Sequence, residues 1–365
     1  MSDPIYWLAL NFLPDIGPLI ARRLLSVFGS PENIFRASIN ELRRVENIGE
    51  NRAKSVANFK RWDKVQAEAE NTLKNNARVI ALDDKTYPEG LKRIPDAPMV
   101  LYVKGDLKDD DKYAIAIVGS RTPTAYGIKT ADEISHKLSS YGLTIVSGMA
   151  RGIDAISHKG ALKTKGRTIA VLGSGIDVPY PPENKGLMNA IASSGAVISE
   201  FPLGTKPNKE NFPRRNRIIS ALSLGVVVIE AAVDSGSLIT VNYALEQGKE
   251  IFAVPGNITS RNSKGTNNLI KNGAKLIESS EEIIDELRPQ IKGILKEQKL
   301  VSKKTLPEMT DDEKALYGCL DNEPKHIDAI IRETKMSSNR ALSVLLNLEL
   351  KGVVTQADGK RFSVN

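Results

Sequence analysis

Basic residues crowd into one stretch of this chain. Lys206, Lys209, Arg214, Arg215 and Arg217 fall close together, with Asn216 among them and Phe201 and Phe212 interleaved. Guanidinium and ammonium groups neutralise phosphate and aromatic faces stack on bases, so the mixture suits a polyanion with exposed bases. The same residues also fit a solvated loop whose phenylalanines turn back to the core. Phe201 reads as core, and Phe212 stays open between the two readings. Three further turns place small residues beside cations or hydroxyls: Gly119-Ser120-Arg121, Ser147-Gly148 with Arg151-Gly152, and Ser235-Gly236. A turn of this kind opening a helix leaves N–H groups free for an anion, and glycine permits close backbone approach. Asp154 either caps a helix or orients an arginine, with capping the preferred reading.

Other chemistry finds little support. Gly173-Ser174-Gly175 begins like a dinucleotide fingerprint, but Val178 stands where a third glycine belongs. Pro179, Pro181 and Pro182 also block an immediate helix, which argues against an NAD site. The single cysteine, Cys319, leaves no partner for a disulfide and reads as a buried structural thiol. His136, His158 and His326 are too far apart to suggest a metal pair. No Ser-His-Asp spacing or paired carboxylates mark the strand ends, so binding without catalysis, cofactor or metal is expected. The net charge of +7 agrees with an acidic partner without specifying one. No apolar run is long enough for a membrane span and no leader pattern opens the chain. A cytoplasmic location is therefore expected.

The elements that must hold these residues follow from periodicity. Val/Ile-rich runs at 114–118, 144–146, 168–172, 196–198, 225–229 and 250–254 alternate with helical stretches at 126–140, 153–164, 184–193 and 237–247. Near-continuous apolar strands alternating with helices predict a parallel sheet covered on both faces. Ligands of such sheets bind beyond the carboxyl ends of the strands, where the turns above fall. Short β-like runs between 77 and 110 extend the sheet edge, joined by a Pro-rich stretch that reads as irregular.

Upstream, Ile16-Gly17 and Ile48-Gly49 head two similar phrases with helical spacing after each glycine, a pattern resembling a helix-hairpin-helix. That segment either contacts DNA or only packs and pairs with partners. Downstream, Thr310 to Glu313 caps a helix, and two more helices follow; the last has an apolar face of Ala341, Leu342, Leu345 and Leu348. Asp358-Gly359-Lys360 then signals a hairpin, which completes a winged helix. The third helix offers Asn339 and Arg340, with Lys351 near its end and few other basic residues, so the module is open to either DNA or protein contact. The expected class is α/β: an extended Rossmann-like doubly wound sheet at 76–288, with an N-terminal helical (helix-hairpin-helix, SAM-like) domain at 1–75. A linker at 289–309 leads to a C-terminal winged helix at 310–365.

Val118-Gly119-Ser120-Arg121, the turn from Ser147 to Asp154, Ser199 to Pro202, Phe212 to Ser220, Ser235 to Thr240 and Ala253 to Gly256 together resemble the DprA/Smf family of DNA-processing proteins. Their order agrees, and the flanking units agree too. The resemblance implies single-stranded DNA binding, homodimerisation through the Rossmann domain and loading of RecA recombinase in natural transformation. It places DNA at Arg121, the Ser147–Gly152 turn and the run from Lys206 to Arg217. The rival is a nucleotide phosphoribohydrolase of lysine-decarboxylase-like Rossmann architecture, similar in its Val-Gly-Ser-Arg start. That family carries paired glycines and a catalytic Glu. Here the matching stretch from Glu230 to Thr240 lacks the paired glycines, and Glu246 lies further along a helix, where it reads as a surface residue.

Overall fold

In the computed structural model the described residues are 3–291, 309–321, 324–351, 353–357 and 359–364. They fall into two units, each with its own core. The first opens with six helices: α1 (Pro4–Asn11), α2 (Pro18–Phe28), α3 (Pro31–Arg36), α4 (Ile39–Arg43), α5 (Glu50–Ala57) and α6 (Trp62–Lys74). Gly17 and Gly49 cap the starts of α2 and α5, and Ile16 and Ile48 before them are buried, so the two phrases are structurally equivalent. Arg52 joins them by donating to the Asp15 and Asn47 carbonyls at 3.1 and 2.9 Å. Tyr6, Phe35, Phe59 and Trp62 pack mostly edge to face around a common centre.

The sheet follows, with β1 (Arg78–Ala81), α7 (Glu89–Lys92), β2 (Val100–Gly105), β3 (Ala114–Val118), α8 (Ala125–Ser140), β4 (Thr144–Ser147), α9 (Ile153–Lys163) and β5 (Thr168–Val171). Next come α10 (Lys185–Ser194), β6 (Ala196–Ser199), α11 (Asn211–Ala221), β7 (Gly225–Val228), α12 (Ser237–Glu246), β8 (Glu250–Ala253), α13 (Arg261–Lys271), β9 (Lys275–Leu276) and α14 (Ser280–Ile291). Among the described residues the strands run β1-β2-β6-β5-β4-β3-β7-β8-β9. The pairs from β6 to β9 are parallel, and β1 and β2 add an antiparallel edge. Ala114, Ala116 and Val118 face the layer of α11 and α12, while Ile115 and Ile117 face that of α8 and α9. Both faces are covered, which is why the strands carry almost no polar residues. The connections leave β3 and β7, which are neighbours, in opposite directions. The crevice beyond their carboxyl ends is the switch point of the sheet.

The helical part is fused to this sheet. One apolar cluster runs from Trp7, Leu8 and Leu24 into Val100, Tyr102 and Val197. Arg22 of α2 donates to the Ile94 and Lys92 carbonyls at 2.8 and 2.6 Å. Three local expectations fail. The Pro-rich stretch before β2 contains the short helix α7. The basic run, which also fitted a solvated loop, has its three arginines inside the helix α11, in which Pro213 sits in the first turn, where its missing N–H is harmless. And α14 continues through Pro289 to Ile291, past the expected start of the linker at 289; most of that linker, 292–308, lies outside the described residues.

The second unit contains α15 (Asp311–Tyr317), β10 (Lys325–His326), α16 (Ile327–Thr334), α17 (Ser338–Leu350), β11 (Val354–Ala357) and β12 (Arg361–Val364), with strand order β10-β12-β11. This is a winged helix. Thr310 and Glu313 form the expected capping box. Ala341, Leu345 and Leu348 are buried, but Leu342 is 44% exposed and so leaves the expected apolar face. Cys319 is only half-buried and its thiol donates to the Leu316 carbonyl.

Candidate nucleic-acid interface

The crevice at the switch point is an open groove of about 770 Å³. It is built chiefly by the turn after β3, the loop into α11 and the start of that helix, the turn before α12 and the start of α13, with Ala150, Asp154 and Tyr180 joining from the turns after β4 and β5. Helix N-termini carry partial positive charge, so the starts of α11, α12 and α13 already favour an anion. At one end Phe212 lies between two arginines. The Arg121 guanidinium is 5.7 Å from its ring centroid and that of Arg215 is 5.9 Å away. Tyr180 stands beside it, ring centroids 5.6 Å apart and tilted by 40°.

The two arginines differ in kind. Arg121 is exposed at the tip of its turn. Arg215 is buried below, donating to the Gly148 carbonyl at 2.7 Å and to the Val171 carbonyl. Burial, with repulsion from Arg121, pulls the Arg215 guanidinium down to about 10, and Asp154 partly offsets this. It stays charged at neutral pH and forms the floor of the groove. Gly148 is required there, because a Cβ would sit 2.5 Å from the Arg215 guanidinium. Gly152 has φ +74° and a Cβ on it would meet the Ser120 carbonyl at 2.3 Å, so it allows the two turns to cross.

The turn amides are not the free phosphate donors that the sequence suggests. Ser120 N donates to the Glu230 carbonyl and Thr122 N to the Ser120 hydroxyl. Thr124 N and its hydroxyl donate to the buried Glu230 carboxylate, at 2.9 and 2.5 Å. Gly148 N and Ala150 N donate to Asp154 at 3.2 and 3.3 Å. Asp154 thus ties down the turn before its helix through backbone amides, with Arg215 near enough for the two charges to act on each other. What these turns present to the groove is therefore mainly side chains, above all Arg121.

The structure gathers Gly119, Ser120, Arg121, Lys209, Phe212, Arg215, Asn216, Ser235 and Gly236 on the groove, with Gly148 and Arg151 on a smaller adjoining recess. Arg151 is exposed and paired with Glu183. Lys206 is exposed on the loop leading to Lys209. Ser147 is buried and donates to the Ile117 carbonyl at 2.7 Å, and Gly152 supports the turn from behind. Arg214 and Arg217 lie apart from the groove. Arg217 is 4% exposed, 2.5 Å from Glu200 and 3.2 Å from Asp96, and Arg214 packs over Phe201 near the same Glu200. Burial pushes the Glu200 carboxyl upward while both arginines pull it back. Phe201 is core, as read, and Phe212 is the half-buried wall of the groove. Tyr180, Arg261 and Asn262 also line it and were missed. Tyr180 was hidden in a segment read only as a failed fingerprint. Arg261 opens the helix after β8, where the rule of reading strand ends would have found it.

No helix among the described residues is long and apolar enough to cross a membrane, and they hold no group of metal-binding side chains.

Comparison with known proteins agrees with this architecture unit by unit. The model of DNA recombination-mediator protein A matches residues 78–288, the DprA winged helix domain matches 302–360, and a SAM-like helix-hairpin-helix tandem matches 8–59. Protein Smf of Synechocystis sp. is 34% identical over 392 residues, covering 99% of this chain and 98% of that protein. DNA processing protein DprA of Bacillus subtilis is 47% identical over 209 residues, covering 57% and 70%. The crystal structure of DNA processing protein A from Streptococcus pneumoniae superposes with a TM-score of 0.68 at 34% identity, covering 78% of this chain and 99% of that one. The Helicobacter pylori DNA processing protein A, whose structure describes a single-stranded DNA binding mode, gives 0.53 at 32%, covering 58% and 96%. On the sequence and on the fold alike, this chain belongs to the DprA/Smf family of DNA-processing proteins.

Proposed function

We propose that the groove binds single-stranded DNA and that the protein uses it to help load RecA recombinase, in the cytoplasm, during recombination and natural transformation. The observation that carries the DNA reading is the stack of Arg121, Phe212 and Tyr180 at the switch point. A cation beside two aromatic faces suits a phosphate and its unpaired base together, whereas a duplex buries its base faces. Lys209 and Arg261 extend the positive wall along the groove. The proposed contacts are Gly119, Ser120, Arg121, Gly148, Arg151, Lys209, Phe212, Arg215, Asn216, Ser235 and Gly236. Lys206 adds charge nearby, and Ser147 and Gly152 act as support. Arg214 and Arg217 are better read as structural. A homodimer through the Rossmann domain, as the family resemblance implies, would join two grooves into one track, and RecA would receive the strand from it. Against the phosphoribohydrolase, Glu246 is exposed on α12 and does not line the groove.

Fluorescent single strands and duplexes, titrated at several salt concentrations, test this. The native protein should prefer the single strand. Arg121→Ala should weaken that binding and flatten its log–log salt slope by ~0.7, the loss of one single-strand phosphate contact. Duplex binding as strong as single-strand binding, unchanged by Arg121→Ala, would overturn the groove as the site.

A further inference from the structure

The loop 202–209, which carries Lys206 and Lys209 to the groove, is held from the opposite side by the helical part of the unit. Helix α6 turns Val65, Glu68, Ala69 and Thr72 toward the sheet, the i, i+3/i+4, i+7 spacing of one helix face. Glu68 Oε1 accepts from Leu203 N at 2.7 Å across that seam. The Leu203 side chain packs into the apolar cluster shared by the helices and the sheet. One residue on, Gly204 N donates to both Asp177 oxygens at 2.9 and 3.0 Å. Gly175 N donates to the Thr205 carbonyl at 2.9 Å, and Asn211 Nδ2 to the Lys206 carbonyl at 3.2 Å. The loop is thus pinned at its root by a carboxylate from another part of the fold, and it continues into Pro207 and Lys209, which line the groove.

The seam around Glu68 is polar. The Tyr102 hydroxyl is buried there, and burial first and the Glu68 carboxylate next push its pKa well above the ordinary tyrosine value. The Asn11 amide nitrogen, from α1, is likewise buried without a hydrogen-bond partner. Glu68 thus lies between the polar groups of α1 and β2 on one side and Leu203 N on the other, so one carboxylate ties the loop to the seam.

We propose that Glu68 is a positioning residue for DNA binding: through Leu203 N it fixes the lysine loop against the groove, so that the N-terminal helical domain sets the groove's basic wall without touching DNA. This rests on the groove binding single-stranded DNA. Releasing the root lets the loop sample other conformations, and binding must then order it again, which lowers affinity without removing any contact group.

The test uses the full chain. Variants are Glu68→Ala, Glu68→Gln, which keeps an accepting oxygen, and Asp177→Ala, which frees the loop from its other side. Each is made alone and in a Lys206→Ala/Lys209→Ala background. Single-strand affinity, hydrogen exchange of the peptide spanning 202–210 and thermal unfolding are measured for all. Glu68→Ala and Asp177→Ala should speed exchange in that peptide and weaken binding by about threefold or more, with Glu68→Gln close to native. In the lysine-free background neither substitution should weaken binding further. If Glu68→Ala binds like native while Lys209→Ala does not, or if its effect persists without the lysines, the positioning role is overturned. Should Glu68→Ala prove unfolded, Glu68→Leu, which fills the same space without an accepting oxygen, takes its place with the same expected outcomes. If neither Arg121→Ala nor Lys209→Ala alters single-strand binding, it is the groove reading that fails, and the exchange data still show whether Glu68 holds the loop.

Discussion

Among single residues, burial separates the arginines more sharply than sequence position does. Arg214, Arg215 and Arg217 fall within four residues of one helix yet meet three environments: solvent above Phe201, the floor of the groove, and a buried pair with Glu200. The pair is incompletely satisfied, since Glu200 Oε1 and Arg217 Nη1 have no hydrogen-bond partner. Removing one member strands the other's charge, so Arg217→Ala should cost about 3–5 kcal/mol of stability, read from urea unfolding. Its single-strand affinity, measured well below the midpoint, should stay near native. A variant of native stability with weak binding would instead assign Arg217 to the DNA. The sequence showed that arginines cluster here but could not show which of them face water. In an eleven-residue helix buried along most of its length, successive positions turn by about 100° into different surroundings, and only the packing partners decide.

The elements were the most legible level. Strand β3 was read from 114 to 118 as it stands, because a buried parallel strand is an uninterrupted apolar run. The winged helix was readable from its capping box and its hairpin turn. Helix α13, strand β9 and helix α14 left weaker signals: α13 is polar, β9 has only two residues, and α14 contains a proline. The turns were legible as turns, but their hydrogen bonds were not. Nothing local in Ser120 or Thr124 indicates that Glu230, 106 residues away from Thr124, takes their donors. The contact between α9 and β5 carries a pH dependence. His158 Nδ1 is 2.6 Å from the Thr168 hydroxyl, which itself donates to the Ile145 carbonyl. Burial, with Arg215 adding repulsion, lowers the imidazole to about 3. A depressed histidine stabilises the fold above its unfolded value near 6.5 and loses that stability as pH falls toward 3. Between neutrality and about pH 5 the loss from this group should reach ~2 kcal/mol, and His158→Gln should flatten it in urea unfolding. An equally steep acid loss in the variant would place the dependence elsewhere.

At the scale of the whole molecule, the third helix of the winged helix keeps its cations paired. Arg340 pairs with Asp312 at 2.5 Å and Lys351 with Glu313 at 2.8 Å, so α17 offers less charge to a phosphate backbone than its sequence suggests. Its core of Leu316, Ile330, Leu345 and Phe362 is separate from those of the first unit. Two independent cores should unfold independently, and scanning calorimetry of the full chain should resolve two transitions. A single transition with equal calorimetric and van't Hoff enthalpies would show the units melting as one. The helical and α/β parts of the first unit, by contrast, share a continuous apolar cluster and should melt together. The edge-to-face aromatic cluster of the helical part has an optical consequence. Trp7 and Trp62 are the chain's only tryptophans, and both belong to the first six helices. Intrinsic emission therefore reports on that part alone, and the groove, lined by tyrosine and phenylalanine, is dark at indole wavelengths. A ligand entering the groove becomes visible in that emission only by way of the seam that joins the helices to the sheet.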